Sequence, residues 1–196
     1  MKIKKGEWEV IRLGGLVKQI QFLKEDPPLD RGKFAYDHRG KLTCWDPVDM
    51  QCPGTISRYN YPKYKDLYYT VKDIVERVIH EKLYPTYYYD RFYFKGSDLV
   101  RHIDRPSCEI SVSLNISSNT DYDWPIWYEL GNGEQHELVT KPGDGVLYKG
   151  CVLPHWREPL KGNKDTYYHQ IFFHYVRRDG PYLQHAYDSN PNTFSD

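Results

Sequence analysis

The stretch DLVRHIDRPSCEISVSLNI, residues 98–116, sets a histidine and an aspartate two positions apart and then runs into the most regular alternating pattern in the chain. Residues i and i+2 of an extended segment project to one face, so His102 and Asp104 aim an imidazole and a carboxylate at a common point. Beyond them Cys108, Ile110, Val112, Leu114 and Ile116 fall on one face of a strand, and Glu109, Ser111, Ser113 and Asn115 on the other. The apolar face packs into a core; the second face meets water or lines a polar pocket. A histidine and a carboxylate at the head of such a strand make two thirds of a metal site.

The surroundings repeat the β character. TYYYDRFYF, LVRHI, PIWYEL, QHELVT, GVLYKG and YYHQIFFHYV read as further strands, separated by turn signals such as GNGE and KPGDG. Upstream, KDLYYTVKDIVERVIHEKL carries Leu67, Val71, Ile74, Val75 and Val78 at helical spacing, which predicts a helix over about 65–83 that stops ahead of Pro85. Many short strands after one helix indicate a mainly β fold, a barrel or sandwich with helical packing outside. Residues 1–60 are harder to read: EWEVIRL is a candidate edge strand, and EDPPLDRGK and DPVDMQCPG are turns. The chain is expected to be one domain over 1–196, with an N-terminal elaboration (1–85), a β core (86–177) and a C-terminal tail (178–196).

Composition narrows the function classes. The 27 basic and 27 acidic residues cancel to a formal charge of +0, so nothing marks a polyanion-binding surface, and nucleic acid is an improbable partner. No apolar run approaches bilayer length, and MKIKKGEWEV lacks the apolar core of a signal peptide, so a cytoplasmic location without membrane association is expected. Cys44, Cys52, Cys108 and Cys151 are then expected as free thiols, and the spacing of Cys44 and Cys52 does not fit a zinc knuckle. Oligomeric state is not readable from the sequence.

A metal held by His102 and Asp104 needs a third ligand, for which His155, His169 and His174 compete. His155 is best placed, because the strand GVLYKG and a short connection deliver it from far along the chain. Two histidines and a carboxylate on one side of an ion leave its other positions open, as in non-haem iron(II) oxygenases, whereas a structural zinc would be closed by four protein ligands. His169 and His174 lie within the final strand and read as packing or supporting groups.

The ordered set YFKGSDLVRHID, PGDGVLY and HWREPLKGNK resembles the iron(II)- and 2-oxoglutarate-dependent dioxygenases, in their prolyl 4-hydroxylase-like branch, over residues 87–176. The resemblance implies a double-stranded β-helix with His102, Asp104 and His155 at its open end, and iron(II), 2-oxoglutarate and O2 as reactants, with ascorbate as a possible accessory reductant. It implies that 2-oxoglutarate is decarboxylated to succinate while a C–H bond is hydroxylated. It further implies a basic residue for the distal carboxylate of the cosubstrate: Lys164 has the family spacing from His155, although in KGNKD it also reads as a solvated turn lysine. Arg157 competes, since i+2 parity turns it to the side of His155 and its guanidinium can grip a carboxylate in two bonds.

Tyr93 resembles the family tyrosine that hydrogen-bonds the cosubstrate, and Ser113 stands where the family often has another. Strand parity puts Tyr87, Tyr89 and Arg91 on the side of Tyr93, which makes Tyr89 and Arg91 candidate substrate contacts. The plainer reading is that an aromatic-rich strand simply packs. Its opposite face, Tyr88, Phe92 and Phe94, suits packing beneath the helix but must also house Asp90. Four functions stay open: a hydroxylase of a peptidyl residue, proline foremost; a hydroxylase of a free amino acid or small metabolite; a non-catalytic β-barrel binding module, disfavoured because every ligand position is filled; and, weaker, a nucleic-acid demethylase, set back by the neutral charge and the lack of a basic stripe.

Overall fold

A computed structural model of the chain describes residues 6–189. Val10–Leu13 forms β1, Gly32–Tyr36 and Leu42–Asp46 the antiparallel pair β2 and β3, and Ile56–Tyr59 the strand β4. A 3-10 turn at Pro62–Tyr64, with the proline at its start where no amide donor is needed, leads into helix α1, Lys65–Ile79. The helix stops four residues short of the sequence expectation because His80 turns left-handed, with φ 57°. Tyr68, Val71, Val75 and Ile79 of its inner face are fully buried, while Ile74 and Val78 sit at the margin, so the buried stripe is rotated slightly from the one expected. Each such side chain contributes roughly 1.5–3 kcal/mol by leaving water.

Strand β5, Leu83–Phe94, begins before Pro85 rather than after it. Its partner register shifts between Tyr87 and Pro85, leaving Thr86 as an extra residue, and such a bulge is where a strand tolerates proline. Then follow β6 (Leu99–His102), β7 (Ile110–Ser118), β8 (Ile126–Glu129), β9 (Gln135–Leu138), β10 (Gly145–Tyr148), β11 (His155–Arg157) and β12 (Tyr167–Arg177). Among the described residues these make an eight-stranded sheet in the order β1-β10-β7-β12-β5-β4-β2-β3 and a four-stranded sheet in the order β6-β11-β8-β9. Apart from the β8–β9 hairpin, which lies wholly in the minor sheet, strands from β5 onward thus alternate between a major and a minor sheet, the winding of a double-stranded β-helix. The N-terminal portion is more than an elaboration: β1 pairs with β10 at one edge, and β4 pairs with β5 to carry the β2–β3 hairpin at the other.

The two faces of the major sheet have different jobs. Ile110, Val112, Leu114 and Ile116 of β7 join Ile171, Phe173 and Tyr175 of β12 and the inner face of α1 in one apolar cluster. Cys108 departs from the expected face, because it lies in a 3-10 turn before β7 and packs instead with Tyr87. Asp90, which points toward the helix side, is housed by charge pairing: Arg58 forks onto its carboxylate and reaches Glu25, and His169 Nε2 lies 2.8 Å from it. The Phe92 and His169 rings stack above this pair at 3.7 Å. The opposite face looks into the barrel and carries the residues considered next. After β12, Asp188 is tied to Arg105 at 2.8 Å; residues 190–196 of the expected tail lie outside the described residues. No described helix is long and apolar enough to cross a membrane, and the four cysteines are free.

Candidate active site

Pairing between β6 and β11 sets His102 directly opposite His155, so two positions 53 residues apart in sequence become cross-strand neighbours with ring centroids 4.4 Å apart. In each, Nδ1 lies close to the carbonyl oxygen two residues back, that of Val100 at 2.7 Å and that of Leu153 at 2.9 Å. A carbonyl can only accept, so Nδ1 is the N–H donor in both rings and Nε2 is the atom turned toward the carboxylate. Both Nε2 atoms face Asp104 Oδ1, at 3.5 Å from His102 and 3.6 Å from His155. The ligand atoms of all three residues fall within 4.8 Å of one another.

Asp104 is placed by its backbone, whose N–H donates to the carbonyl of Gly150 at 2.9 Å. A Cβ at Gly150 would meet Asp104 Oδ2 and the Cys108 carbonyl oxygen at 2.4 Å each, so only glycine lets the carboxylate lie there. Ser111 Oγ approaches Oδ2 at 3.4 Å and is itself 2.9 Å from Nδ1 of His174. Burial alone would raise the Asp104 carboxyl; the imidazoles of His102, His155 and His174 outweigh it and hold the group below its ordinary value, as an anionic ligand. Burial pushes the His155 imidazole down and drives His174 to about 4, whereas His102, against the downward push of its own burial, is pulled up by its hydrogen bond to Asp104.

Below the three residues the barrel interior is lined by Tyr87, Tyr89, Arg91 and Tyr93 of β5, which face His174, Phe172, Gln170 and Tyr168 of β12 across the strand pair. Tyr89 lies between the rings of Tyr59 and Phe172, at 4.7 and 4.8 Å, and forms a wall. Arg91 is fully buried but braced: Nε donates to Ser57 at 2.9 Å, and Nη2 donates to Asp49 and Gln51 at the same distance. Ser113 Oγ accepts from Gln170 Nε2 at 2.7 Å.

Arg157 is different. It is 2% exposed, its guanidinium lies 4.3 Å over the Trp124 ring and 4.9 Å over that of Tyr168, and its one hydrogen bond runs from Nη1 to the Trp124 carbonyl at 2.7 Å. No carboxylate pairs with it among the described residues, and its Nε and Nη2 have no hydrogen-bond partner. The buried hydroxyls of Tyr93 and Tyr128 and the Gln170 Oε1 atom are orphaned as well. Buried polar atoms normally find partners, and a buried cation normally finds an anion. An interior with an unpaired guanidinium and several unpaired donors therefore fits a carboxylate ligand.

The structure thus brings His102, Asp104 and His155 together at one end of the barrel and sets Tyr93, Ser113 and Arg157 inside it. Lys164 is exposed in the turn between β11 and β12, so the chain spacing that favoured it does not carry its ammonium into the barrel. Gly150, Ser111, Trp124 and Tyr168 are parts of the site that the sequence reading passed over. Of these, Ser111 had been read only as part of the polar face shared with Glu109, Ser113 and Asn115.

No protein-family model matches the chain, and no curated protein matches it in sequence. Solved structures do match. A prolyl-4-hydroxylase from Pseudomonas putida superposes with a TM-score of 0.58 at 12% identity, covering 88% of this chain and 94% of its own. A 2OG-Fe(II) oxygenase family oxidoreductase from Burkholderia pseudomallei gives 0.60 at 11% identity, covering 90% and 95%. HygX from Streptomyces hygroscopicus, solved with nickel and 2-oxoglutarate bound, gives 0.58 at 14% identity, covering 85% and 82%. With identities this low the likeness is one of architecture, and by that architecture the chain is a double-stranded β-helix protein of the kind seen in 2-oxoglutarate/iron(II) oxygenase structures.

Proposed function

We propose that the protein is an iron(II)- and 2-oxoglutarate-dependent hydroxylase. The observation that carries this reading is the pairing of an open two-histidine, one-carboxylate set with an uncompensated buried guanidinium in the same barrel. His102, Asp104 and His155 would hold the iron from one side and leave positions free. Arg157, with the Tyr93 hydroxyl nearby, would take the distal carboxylate of 2-oxoglutarate. Together the metal and cosubstrate supply activation of O2 for insertion of one oxygen atom into a C–H bond.

The chain's own residues do the rest. The backbone carbonyls of Val100 and Leu153 accept from Nδ1 of the two histidines and so turn Nε2 of each toward the metal position. Gly150 and Ser111 hold the Asp104 carboxylate in place. The Tyr59, Tyr87, Tyr89 and Phe172 rings exclude water from the reacting centre, and Trp124 and Tyr168 give Arg157 two aromatic faces to lie against.

A peptidyl residue, proline foremost, remains the leading substrate. Val100 and Ile103, which flank His102 in the chain, are 67% and 55% exposed, an apolar rim suited to a side chain presented from outside. The alternative of a free amino acid would call for a cation to meet its carboxylate, and Arg91, although its Nη1 has no hydrogen-bond partner, is already ion-paired with Asp49. Incubation with iron(II), 2-oxoglutarate and either a proline-containing peptide library or an amino-acid mixture separates the two. One set should gain a single oxygen atom in step with succinate. Succinate formed equally with neither set modified would set both substrate classes aside.

A further inference from the structure

Asp104 offers its two oxygens to different neighbours. Oδ1 faces His102 and His155, while Oδ2 lies against Ser111 and the Gly150 cradle. Beside it stand two potential ligands that the proposed reaction does not use. A ring nitrogen of His174, the Cys108 sulfur and a carboxylate oxygen of Asp104 lie within 4.8 Å of one another, a second cluster that shares one residue with the first. We propose that Asp104, Cys108 and His174 form a second metal site, selective for a thiophilic divalent cation of the zinc class.

The cluster is built rather than accidental. His174 and Cys108 are each 2% exposed. The ring of His174 is anchored by Ser111 at Nδ1, and its Nε2 is buried with no hydrogen-bond partner, a cost that a bound cation would relieve. Cys108 has no disulfide partner, and its sulfur lies 3.1 Å from the Tyr87 hydroxyl, whose ring is 4.7 Å from that of His174. The Arg105 guanidinium sits 4.4 Å over the same ring, and its Nε points at the Tyr87 oxygen. A phenol held in this way can donate its hydrogen to the sulfur.

Thiolate, imidazole and carboxylate together select zinc or cobalt over magnesium or calcium, which prefer oxygen alone. A third group of ligand types, Glu25, Asp90 and His169, shows what a false site looks like: Arg58 already occupies both carboxylates, so a cation there would be repelled. At the Cys108 cluster the neighbouring cation, Arg105, is paired with Asp188 rather than with Asp104. Because Asp104 serves both clusters, occupation of one must alter the affinity of the other, and the coupling is reciprocal.

Anaerobic titration with cobalt(II) tests the site, since sulfur ligation gives a near-ultraviolet charge-transfer band that nitrogen and oxygen ligands do not. The intact protein should take up roughly two ions per chain, one for each ligand set, with the sulfur band developing alongside. Cys108→Ser should lose the band and one equivalent; His155→Ala should keep the band and lose the other. If Cys108→Ser does not fold, His174→Gln is read in its place. Uptake without a sulfur band, or a band that persists in Cys108→Ser, overturns the proposal. Retention of both equivalents in His155→Ala would instead remove His155 from the first site and leave the second standing, so the two assignments fail separately.

Discussion

Replacing Arg157 with methionine should weaken 2-oxoglutarate binding without a matching loss of stability, and the two effects together distinguish a ligand clamp from a structural arginine. In the free protein Arg157 makes one hydrogen bond, to the Trp124 carbonyl, worth about 1 kcal/mol, and stacks on two aromatic rings for roughly 0.5–2 kcal/mol more. Against this stands the desolvation of a guanidinium that is 2% exposed with no paired carboxylate, several kcal/mol in the other direction. The terms oppose one another, so the unfolding free energy of the metal-free variant should change by less than about 2 kcal/mol. Cosubstrate binding has no such cancellation. A half-buried carboxylate deprived of its cation loses about 3 kcal/mol or more, which at about 1.4 kcal/mol per decade is on the order of 100-fold in affinity. Calorimetric titration of 2-oxoglutarate into nickel-loaded Arg157→Met and Lys164→Met, with thermal melts of both free proteins, measures the two quantities. Loss of affinity in Lys164→Met with Arg157→Met unaffected would remove Arg157 from the cosubstrate site, and an Arg157→Met protein too unstable to fold would make the arginine structural.

Other consequences are local. Gly150→Ala forces a methyl against Asp104 and the Cys108 carbonyl; an overpacking strain of about 1–3 kcal/mol should appear as metal affinity lowered by about tenfold in a competition assay with a chromophoric chelator. Asp90→Asn leaves the buried Arg58 with Glu25 as its remaining carboxylate and takes the anion from His169, and should lower stability by about 3 kcal/mol in denaturant titration, while leaving metal uptake intact. Glu76 accepts from Lys82, the Leu83 amide and Lys72, and against the upward push of burial these hold its carboxyl at about 2 rather than the ordinary 4.5. A depressed carboxyl stabilises the fold fully above its unfolded value and loses that contribution as pH falls toward its folded one. Stability of the parent should therefore drop between about pH 4.5 and 2 more steeply than that of Glu76→Gln.

The parts of this molecule legible in the sequence are those governed by short-range periodicity. Alternation in residues 108–116 located β7 and its polar inner face, and the two-residue step from His102 to Asp104 survives because nothing but chain geometry is needed to aim them together. The helix was legible in its centre and misread at its end, since the left-handed His80 is not a residue type that announces a stop, and Pro85 was taken to follow the break when it sits at a bulge inside β5. The N-terminal strands were illegible for a different reason: β1 pairs with β10, more than 130 residues away, and no local pattern encodes such a partner. The same limit separates Arg157 from Lys164. Spacing along the chain favoured the lysine, whereas burial, stacking and a missing counter-ion are properties of the assembled barrel. Gly150 likewise acquires its meaning from Asp104, 46 residues earlier, at a distance only the fold defines.

In the proposed enzyme His102, Asp104 and His155 present an open iron site to which 2-oxoglutarate binds directly. Adding 2-oxoglutarate to the anaerobic iron(II) protein should produce a weak visible charge-transfer band that is absent with either component alone and is lost in His155→Ala. A featureless spectrum, with iron and cosubstrate both shown by dialysis to be bound, would contradict it.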